Sequence, residues 1–313
     1  MLEVEDPGDG EIDQSQLKCD SPIVDSKELL MNGPMVRCDE STFWYFINER
    51  HQVYLNKRQG LPKPWTIDPI LQKWKFCNVF RRLDRTTVWF LENFLKSDDD
   101  PAIIAFNCCW FRMFNRIETG KVLGWRQSWD SRQVYDVLSA VKYPVFTGAY
   151  IVHSEPGEAK LDSIIQVCAE LWRLCTDDDS LVALIRESNS MEATWQALQV
   201  VRHVGPFLAY EMVCDMRYTK LLRGAVDAMA WANVGPGARR GLMRLGMPAG
   251  SKTGIESMKD LLERSPQNLR SNVPPLEMRE IEHVLCEVDK YCRVKFGEGH
   301  PRSTYPGVRW PTR

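Results

Sequence analysis

Apolar residues recur every three or four positions along most of the chain between residues 39 and 296, and this spacing limits the fold more than any other feature. It places apolar side chains on one face of an α-helix, whereas a half-buried strand alternates at every second residue. The pattern predicts helices over 40–59, from Pro69, up to about Lys96, and over 102–114, 131–141, 159–175, 179–187, 191–200, 207–216, up to Leu245, 253–264 and 276–296.

Two stretches lack the helical spacing. Residues 117–126 are predicted to form a loop, and residues 143–153 either a short β-hairpin or an irregular loop. No internal repeat of 20–50 residues is visible. The sequence therefore predicts a mostly α protein.

Charge divides the chain unequally. Residues 1–40 carry a net charge of −8 and the other 273 residues one of +6. We expect an acidic leader over residues 1–38, a helical domain over 39–308, with two lobes and a groove between them as one option, and a tail over 309–313.

No apolar run reaches the roughly 18–20 residues that span a membrane, and the N-terminus lacks a signal peptide, so we expect no membrane partner and a cytoplasmic location. A mildly basic body is compatible with nucleic-acid binding but does not require it.

The ten cysteines do not follow a metal-binding pattern. No CxxC pair occurs, and the five histidines are scattered. We therefore predict no metal site, and we expect reduced thiols in apolar segments of the core.

Two helical runs meet at a tight turn at residues 203–206, and a lone carboxylate, Asp227, follows 22 residues after Gly205. Glycine permits a tight hairpin and the close approach of another backbone, and the free amides of the second helix suit a DNA phosphate. This layout is typical of a helix-hairpin-helix motif followed by a catalytic aspartate, as in one class of DNA glycosylases. An ordinary helical hairpin with a capping or surface aspartate explains it equally well.

Arginines accompany aromatic residues or glycines in two further segments. Around Asn78 the chain carries Arg81, Arg82 and Arg85, which suit phosphate contact but can also pair with nearby acids. The sequence GPGARRG supplies Gly235, Gly237, Arg239 and Arg240, which suit a flexible phosphate-binding turn or a simple helix entry. No GxxxxGK[ST] motif occurs, so this type of nucleotide-triphosphate site is not predicted.

The last long helix places His283, Glu287 and Lys290 at helical spacing, where they can share one face. The trio is either a buried acid–base group or an exposed ladder of ion pairs.

Five segments together resemble a known family, the amino acid:DNA transferases of thymine hypermodification. These relatives of the putrescinyl- and glutamyl-thymine pyrophosphorylases are typically encoded by bacteriophages. The resemblance covers residues 40–308 and rests on KPWTIDPIL, FCNVFRRLDR, VGPFLAYEMVCDMRYT, GPGARRGL and LCEVDKYCRVKFGEGHPRSTYPG.

The resemblance implies a helical DNA-glycosylase-like fold with a helix-hairpin-helix motif. It also implies a reaction on double-stranded DNA that carries 5-hydroxymethyluracil pyrophosphorylated by a separate kinase. The enzyme would replace the pyrophosphate with a free amino acid or another amine, in the host cytoplasm for a phage-encoded enzyme. The family often has aromatic residues where this chain has Ala228 and Met229, which leaves the choice of amine open.

Roles for the candidate residues follow from this implied reaction. Pyrophosphate or DNA would be bound by Asn78, by the arginines that follow it and by the glycines and arginines of GPGARRG. Mg²⁺ on the pyrophosphate is an option without a dedicated motif. The base would be Asp227 or else Glu287, and Lys290 or Arg293 would bind the amino-acid carboxylate. The target base would leave the DNA stack to be reached. A DNA glycosylase and a non-catalytic DNA-binding protein remain the alternatives.

Overall fold

The described part of the chain is helical. The computed structural model describes residues 35–177, 181–301 and 303–305, which contain thirteen α-helices and no β-strand. Contacts divide the chain into two units, Met1–Met35 and Val36–Arg313. The predicted leader up to residue 34 and the predicted tail over 309–313 lie outside the described residues. No helix among the described residues is long and apolar enough to cross a membrane.

The helices are joined by connections of varied length, the longest between α6 and α7 and between α10 and α11. They are α1 (Glu40–Arg58), α2 (Pro69–Lys73), α3 (Arg85–Trp89), α4 (Pro101–Phe114), α5 (Ile117–Leu123), α6 (Ser131–Ser139), α7 (Lys160–Thr176), α8 (Leu181–Ser188), α9 (Met191–Leu198), α10 (Pro206–Met216), α11 (Pro236–Arg244), α12 (Ser251–Asn268) and α13 (Met278–Lys295). A 3₁₀ turn at Arg81–Leu83 precedes α3, and a π-helical turn at Phe90–Phe94 follows it.

Local sequence explains several helix starts. Asp68 accepts hydrogen bonds from the amides of Ile70 and Leu71, and Pro69 occupies the first helical position, as predicted. The side chains of Asp100, Asp130 and Ser190 cap α4, α6 and α9 in the same way. Asp39 stands at the N-cap position of α1, although its side chain makes no capping hydrogen bond.

The loop prediction for residues 117–126 is wrong, because α5 occupies Ile117–Leu123. Gly120 lies in this helix against the rings of Trp89 and Phe111, where an added Cβ would approach Trp89 to 2.6 Å. The glycine thus permits close packing against aromatic side chains. Residues 143–153 form the irregular loop that was one of the two predicted options, and contain no strand.

The core is organised around α4. All its residues from Ile104 to Phe114 are buried, and the helix packs against α7 and α10. Its aromatic side chains contact those of the turn at Phe90–Phe94 and of the 125–129 segment. Among these apolar residues lies Arg112, whose charge is described with the site below.

The GPGARRG segment is not the predicted flexible turn. Helix α11 begins at Pro236, and its glycines lie against α13. A Cβ on Gly237 would lie 2.4 Å from the sulfur of Cys286, and one on Gly241 would lie 2.3 Å from the carbonyl oxygen of Leu285. Gly237 and Gly241 therefore let two helices pack closely, and phosphate binding at this helix entry stays a prediction.

The packed chain begins earlier than the predicted boundary at residue 38. The amide of Cys38 donates to the carbonyl oxygen of Arg244, and that of Val36 donates to Glu298. Two residues of the segment predicted as a leader, Val36 and Cys38, are thus part of the packed helical unit.

Candidate functional site

Charged side chains gather where α10, α13 and the segment 77–84 meet. We call this group the charged cluster, and its members are Arg81, Glu211, Glu282, Glu287 and Lys290. They come from three parts of the chain up to 209 positions apart. The structure thereby brings together Arg81, Glu287 and Lys290, which the sequence had nominated from separate segments.

Arg81 is held by a buried carboxylate. Its guanidinium donates through both terminal nitrogens to Glu211, and its side chain remains 21% exposed. Behind Glu211 lies Arg112, which contacts Glu211 at 3.5 Å and donates two hydrogen bonds to the fully buried Asp215. Burial alone would raise the pKa of Glu211, but Arg81 and Arg112 outweigh it and hold the pKa below its usual range. The network therefore keeps Glu211 ionised and Arg81 fixed.

Glu287 and Lys290 form a second such pair. Lys290 donates to Glu287 at 2.5 Å, and the backbone amide of Cys77 donates to the other carboxylate oxygen at 3.1 Å. Burial opposes ionisation of Glu287, yet Lys290 and His283 lower its pKa overall. Lys290 remains 34% exposed, so the predicted trio is a buried carboxylate with one cation that reaches solvent. An ionised Glu287 is a weak base.

Asn78 is a structural connector. Its side-chain amide donates to Leu83 and Asp84, its side-chain oxygen accepts from Arg50, and its backbone carbonyl lies 3.1 Å from Nε2 of His283. The side chain predicted to contact DNA or pyrophosphate thus has internal partners at both its oxygen and its nitrogen.

Sequence reasoning missed Glu282. The residue is partly exposed, and its carboxylate makes no hydrogen bond or ion pair with any described residue. Burial and the neighbouring Glu211 raise its pKa to about 8. Perturbed acids of this kind concentrate at functional sites. The raised pKa depends on contacts with distant parts of the chain. Nothing in the local sequence distinguishes Glu282 from an exposed helical glutamate.

Asp227 caps a helix. Its carboxylate accepts hydrogen bonds from the hydroxyl of Ser190 at 2.7 Å and from the amides of Met191 at 2.8 Å and Glu192 at 2.9 Å. Among described residues, no hydrogen bond or ion pair joins it to the charged cluster. Asp227 is therefore a capping residue, which was one of the two options from the sequence. A catalytic role for Asp227 stays a prediction.

Replacement of Asp227 by asparagine is expected to lower the free energy of unfolding by about 0.5–2 kcal/mol, because an amide cannot accept all three capping hydrogen bonds. Urea denaturation measures the loss, with Asp136→Asn on the exposed face of α6 as a control. If turnover falls while the protein stays folded and equally stable, the catalytic prediction is supported instead of the capping role.

The turn between α9 and α10 owes its geometry to His203, which adopts a φ of 62° in the left-handed region. Gly205 has an ordinary φ of −77° at the start of α10, and nothing lies within 4 Å of where its Cβ would be. Gly205 is thus not needed for the turn itself. Its surroundings leave room for another backbone to approach.

The remaining predicted arginines separate into two groups. Arg240 and Arg293 approach the buried Asp289 at 3.0 and 3.4 Å, together with Arg244. Arg82, Arg85 and Arg239 are exposed, and Arg82 lies over the ring of Phe80. Gly235 precedes α11, and its added Cβ would lie 3.9 Å from Glu282. Of these, Arg82 and Arg239 are the ones placed to meet an anion from solvent.

Cys77, Asp84 and His283 place ligand-type atoms within 4.8 Å of one another. Hydrogen bonds to Asn78 already account for the positions of Asp84 and His283. Cys77 is exposed. All described cysteines are free, as predicted.

Residues 39–300 match the model of a protein family described as the helical domain of 5-hmdU DNA kinase. The chain belongs to this family. A 5-hmdU DNA kinase of Bacillus phage SP10 is 28% identical over 329 aligned positions, which cover 92% of this chain and 52% of that protein. The helical domain thus spans about half the length of its curated relative. No solved structure gives a significant match.

Proposed function

We propose that this helical domain acts in thymine hypermodification of DNA, as the transferase that replaces the pyrophosphate of pyrophosphorylated 5-hydroxymethyluracil with an amine. The name of the phage relative supports a role with 5-hydroxymethyluracil DNA. Its kinase activity would supply the phosphorylated base on which such a transferase depends.

The alignment covers about half of the phage relative, and this supports a role other than phosphorylation for this domain. Half of that protein has no counterpart in the present chain, which contains no GxxxxGK[ST] motif for the phosphates of a nucleotide. A kinase half and a transferase half in one polypeptide would perform consecutive steps on the same base.

The observation that carries the proposal is the composition of the charged cluster. Two partly exposed cations, Arg81 and Lys290, are each fixed by a buried carboxylate, and an unpaired carboxylate, Glu282, lies beside them. Positioned cations stabilise the charge that develops on a departing pyrophosphate, and a free carboxylate can accept a proton from an attacking amine. The exposed Arg82 adds a third cation near Arg81.

DNA binding is proposed to involve the α9–α10 hairpin in a glycosylase-like fold. The open surroundings of Gly205 support the approach of a DNA backbone to the start of α10. The modified base would be turned out of the stack to reach the cluster. Mg²⁺ bound to the pyrophosphate would add to the charge of the arginines.

Incubation of the protein with pyrophosphorylated 5-hydroxymethyluracil DNA and an equimolar mixture of amino acids tests the proposal. Mass spectrometry of the digested nucleosides should reveal an amine-bearing product, together with released pyrophosphate. Free base or abasic sites would identify a glycosylase instead. Unchanged DNA that is bound by the protein would identify a DNA-binding module of a kinase, and either of these results overturns the transferase.

A parallel reaction with unphosphorylated 5-hydroxymethyluracil DNA and ATP is the control for kinase activity. We expect no phosphorylated nucleoside from this domain. Phosphorylation would show that the kinase function lies in the part of the relative that this chain matches.

A further inference from the structure

We propose that Glu282 binds the incoming amine as a cation and accepts its proton when the carbon–nitrogen bond forms. This inference rests on the proposed transferase function and names the residue that receives the second substrate.

The position of Glu282 is the first argument. It lies on α13, beside the start of α11 at Gly235 and facing α10. Groups from α10, α13 and the 77–84 segment surround the carboxylate, and the residue as a whole is partly exposed. No described residue donates a hydrogen bond to it. An ionised group held this way is costly unless a ligand satisfies it, so the site favours a partner that carries hydrogen-bond donors and positive charge.

The charge balance of the surroundings gives the second argument. Arg81 and Arg112 are neutralised by Glu211 and Asp215, and Lys290 is neutralised by Glu287. Glu282 is the carboxylate of the cluster left over after this pairing. A bound protonated amine would supply the positive charge that balances the ionised carboxylate of Glu282.

The chemistry of the step balances with Glu282 as the proton acceptor. An ammonium ion that binds Glu282 transfers one proton to it, which exposes the nitrogen lone pair. The nitrogen attacks the methylene carbon, and pyrophosphate leaves with the electron pair of the broken carbon–oxygen bond. The second proton then leaves the new secondary ammonium by the same route. Glu282 passes each proton to solvent, which its partial exposure permits.

The pH dependence follows from the groups that face Glu282. These are Tyr210, Glu211 and Cys214 of α10, Arg81 of the 77–84 segment, and Cys286, Glu287 and Lys290 of α13. Burial and Glu211 raise the pKa of Glu282 to about 8. Half of the Glu282 carboxyl groups are therefore ionised near pH 8, and turnover with amino acids should rise with pH through this value.

Glu282→Gln keeps the shape of the side chain and removes its basicity. With the amino-acid mixture we expect turnover to fall by about 100- to 10,000-fold. Hydroxylamine, whose nitrogen is unprotonated at neutral pH, needs no base before it attacks. With hydroxylamine the variant should therefore stay within about tenfold of the wild type. Glu256→Gln, on the exposed surface of α12, is the matched control.

Three results would overturn the role of Glu282. These are amino-acid turnover that survives in the variant, an equal loss with both nucleophiles, and a rise with pH that the variant retains. Failure of the proposed function differs from all of these, because the wild-type protein would then give no amine-bearing nucleoside with either nucleophile.

A stability measurement checks the variant without activity. The raised pKa means that the folded state holds its proton while the unfolded state has lost it, so Glu282 lowers stability increasingly from about pH 4.5 to 8 and by a constant amount above pH 8. Glu282→Gln should remove this contribution and be at least as stable as the wild type at pH 9. A less stable variant at pH 9 would mean that Glu282 is held by contacts that support the fold, which contradicts an unpaired carboxylate kept for a ligand.

Discussion

Replacement of Arg112 by methionine is expected to lower the free energy of unfolding by about 3–5 kcal/mol. Arg112 lies inside α4 and donates two hydrogen bonds to Asp215, which is fully buried on α10. Methionine fills much of the volume but leaves Asp215 without a cation. Removal of one partner of a buried ion pair costs far more than the pair itself contributes, because the other charge stays desolvated.

Arg132→Met is the matched control for this prediction. Arg132 also pairs with an aspartate, Asp136, but its side chain is 85% exposed. Water replaces the lost partner there, so the loss should be at most about 1 kcal/mol. Urea denaturation of both variants gives the comparison. Similar losses would mean that the buried network contributes little to stability.

Replacement of Gly241 by alanine should destabilise the protein by about 1–3 kcal/mol or more. The new Cβ would lie 2.3 Å from the carbonyl oxygen of Leu285, which belongs to the backbone of α13 and cannot rotate away. Helices α11 and α13 would have to separate. Because α13 carries Glu282, Glu287 and Lys290, turnover should fall as well.

Gly205→Ala provides the contrast. Gly205 has an ordinary backbone conformation and open surroundings, so alanine should not reduce stability there. Thermal unfolding of the two variants separates a glycine that packs two helices from one that stands at a surface. Equal stability of both variants would contradict the close α11–α13 contact.

The helices were predictable because their signals are local. Apolar spacing and capping residues such as Asp68 act within a few positions, so one sequence contains them. The error at residues 117–126 has a tertiary cause. Gly120 lowers the helical signal of α5, and the rings of Trp89 and Phe111 that require a small residue there come from other elements.

Two features of the candidate site depended on contacts that a single sequence does not contain. Gly237 beside two arginines is equally suited to a phosphate turn and to helix packing, and only Cys286 on α13 decides between them. Glu282 acquires its raised pKa from burial by other elements and from Glu211, which lies 71 positions earlier in the chain. Glu287 and Lys290 were found because their spacing on one helix is itself a local signal.

Arg81 is attached to the core through Glu211 and Arg112. This attachment limits how fast the site can move. Glu211 and Asp215 lie on α10, which packs against the buried α4, so these carboxylates can leave their positions only when the core opens. Backbone amides of α10 near these residues should therefore exchange with deuterium about as slowly as those of α4. A cation held in this way loses little conformational entropy when an anion binds, since its orientation is already set before the encounter.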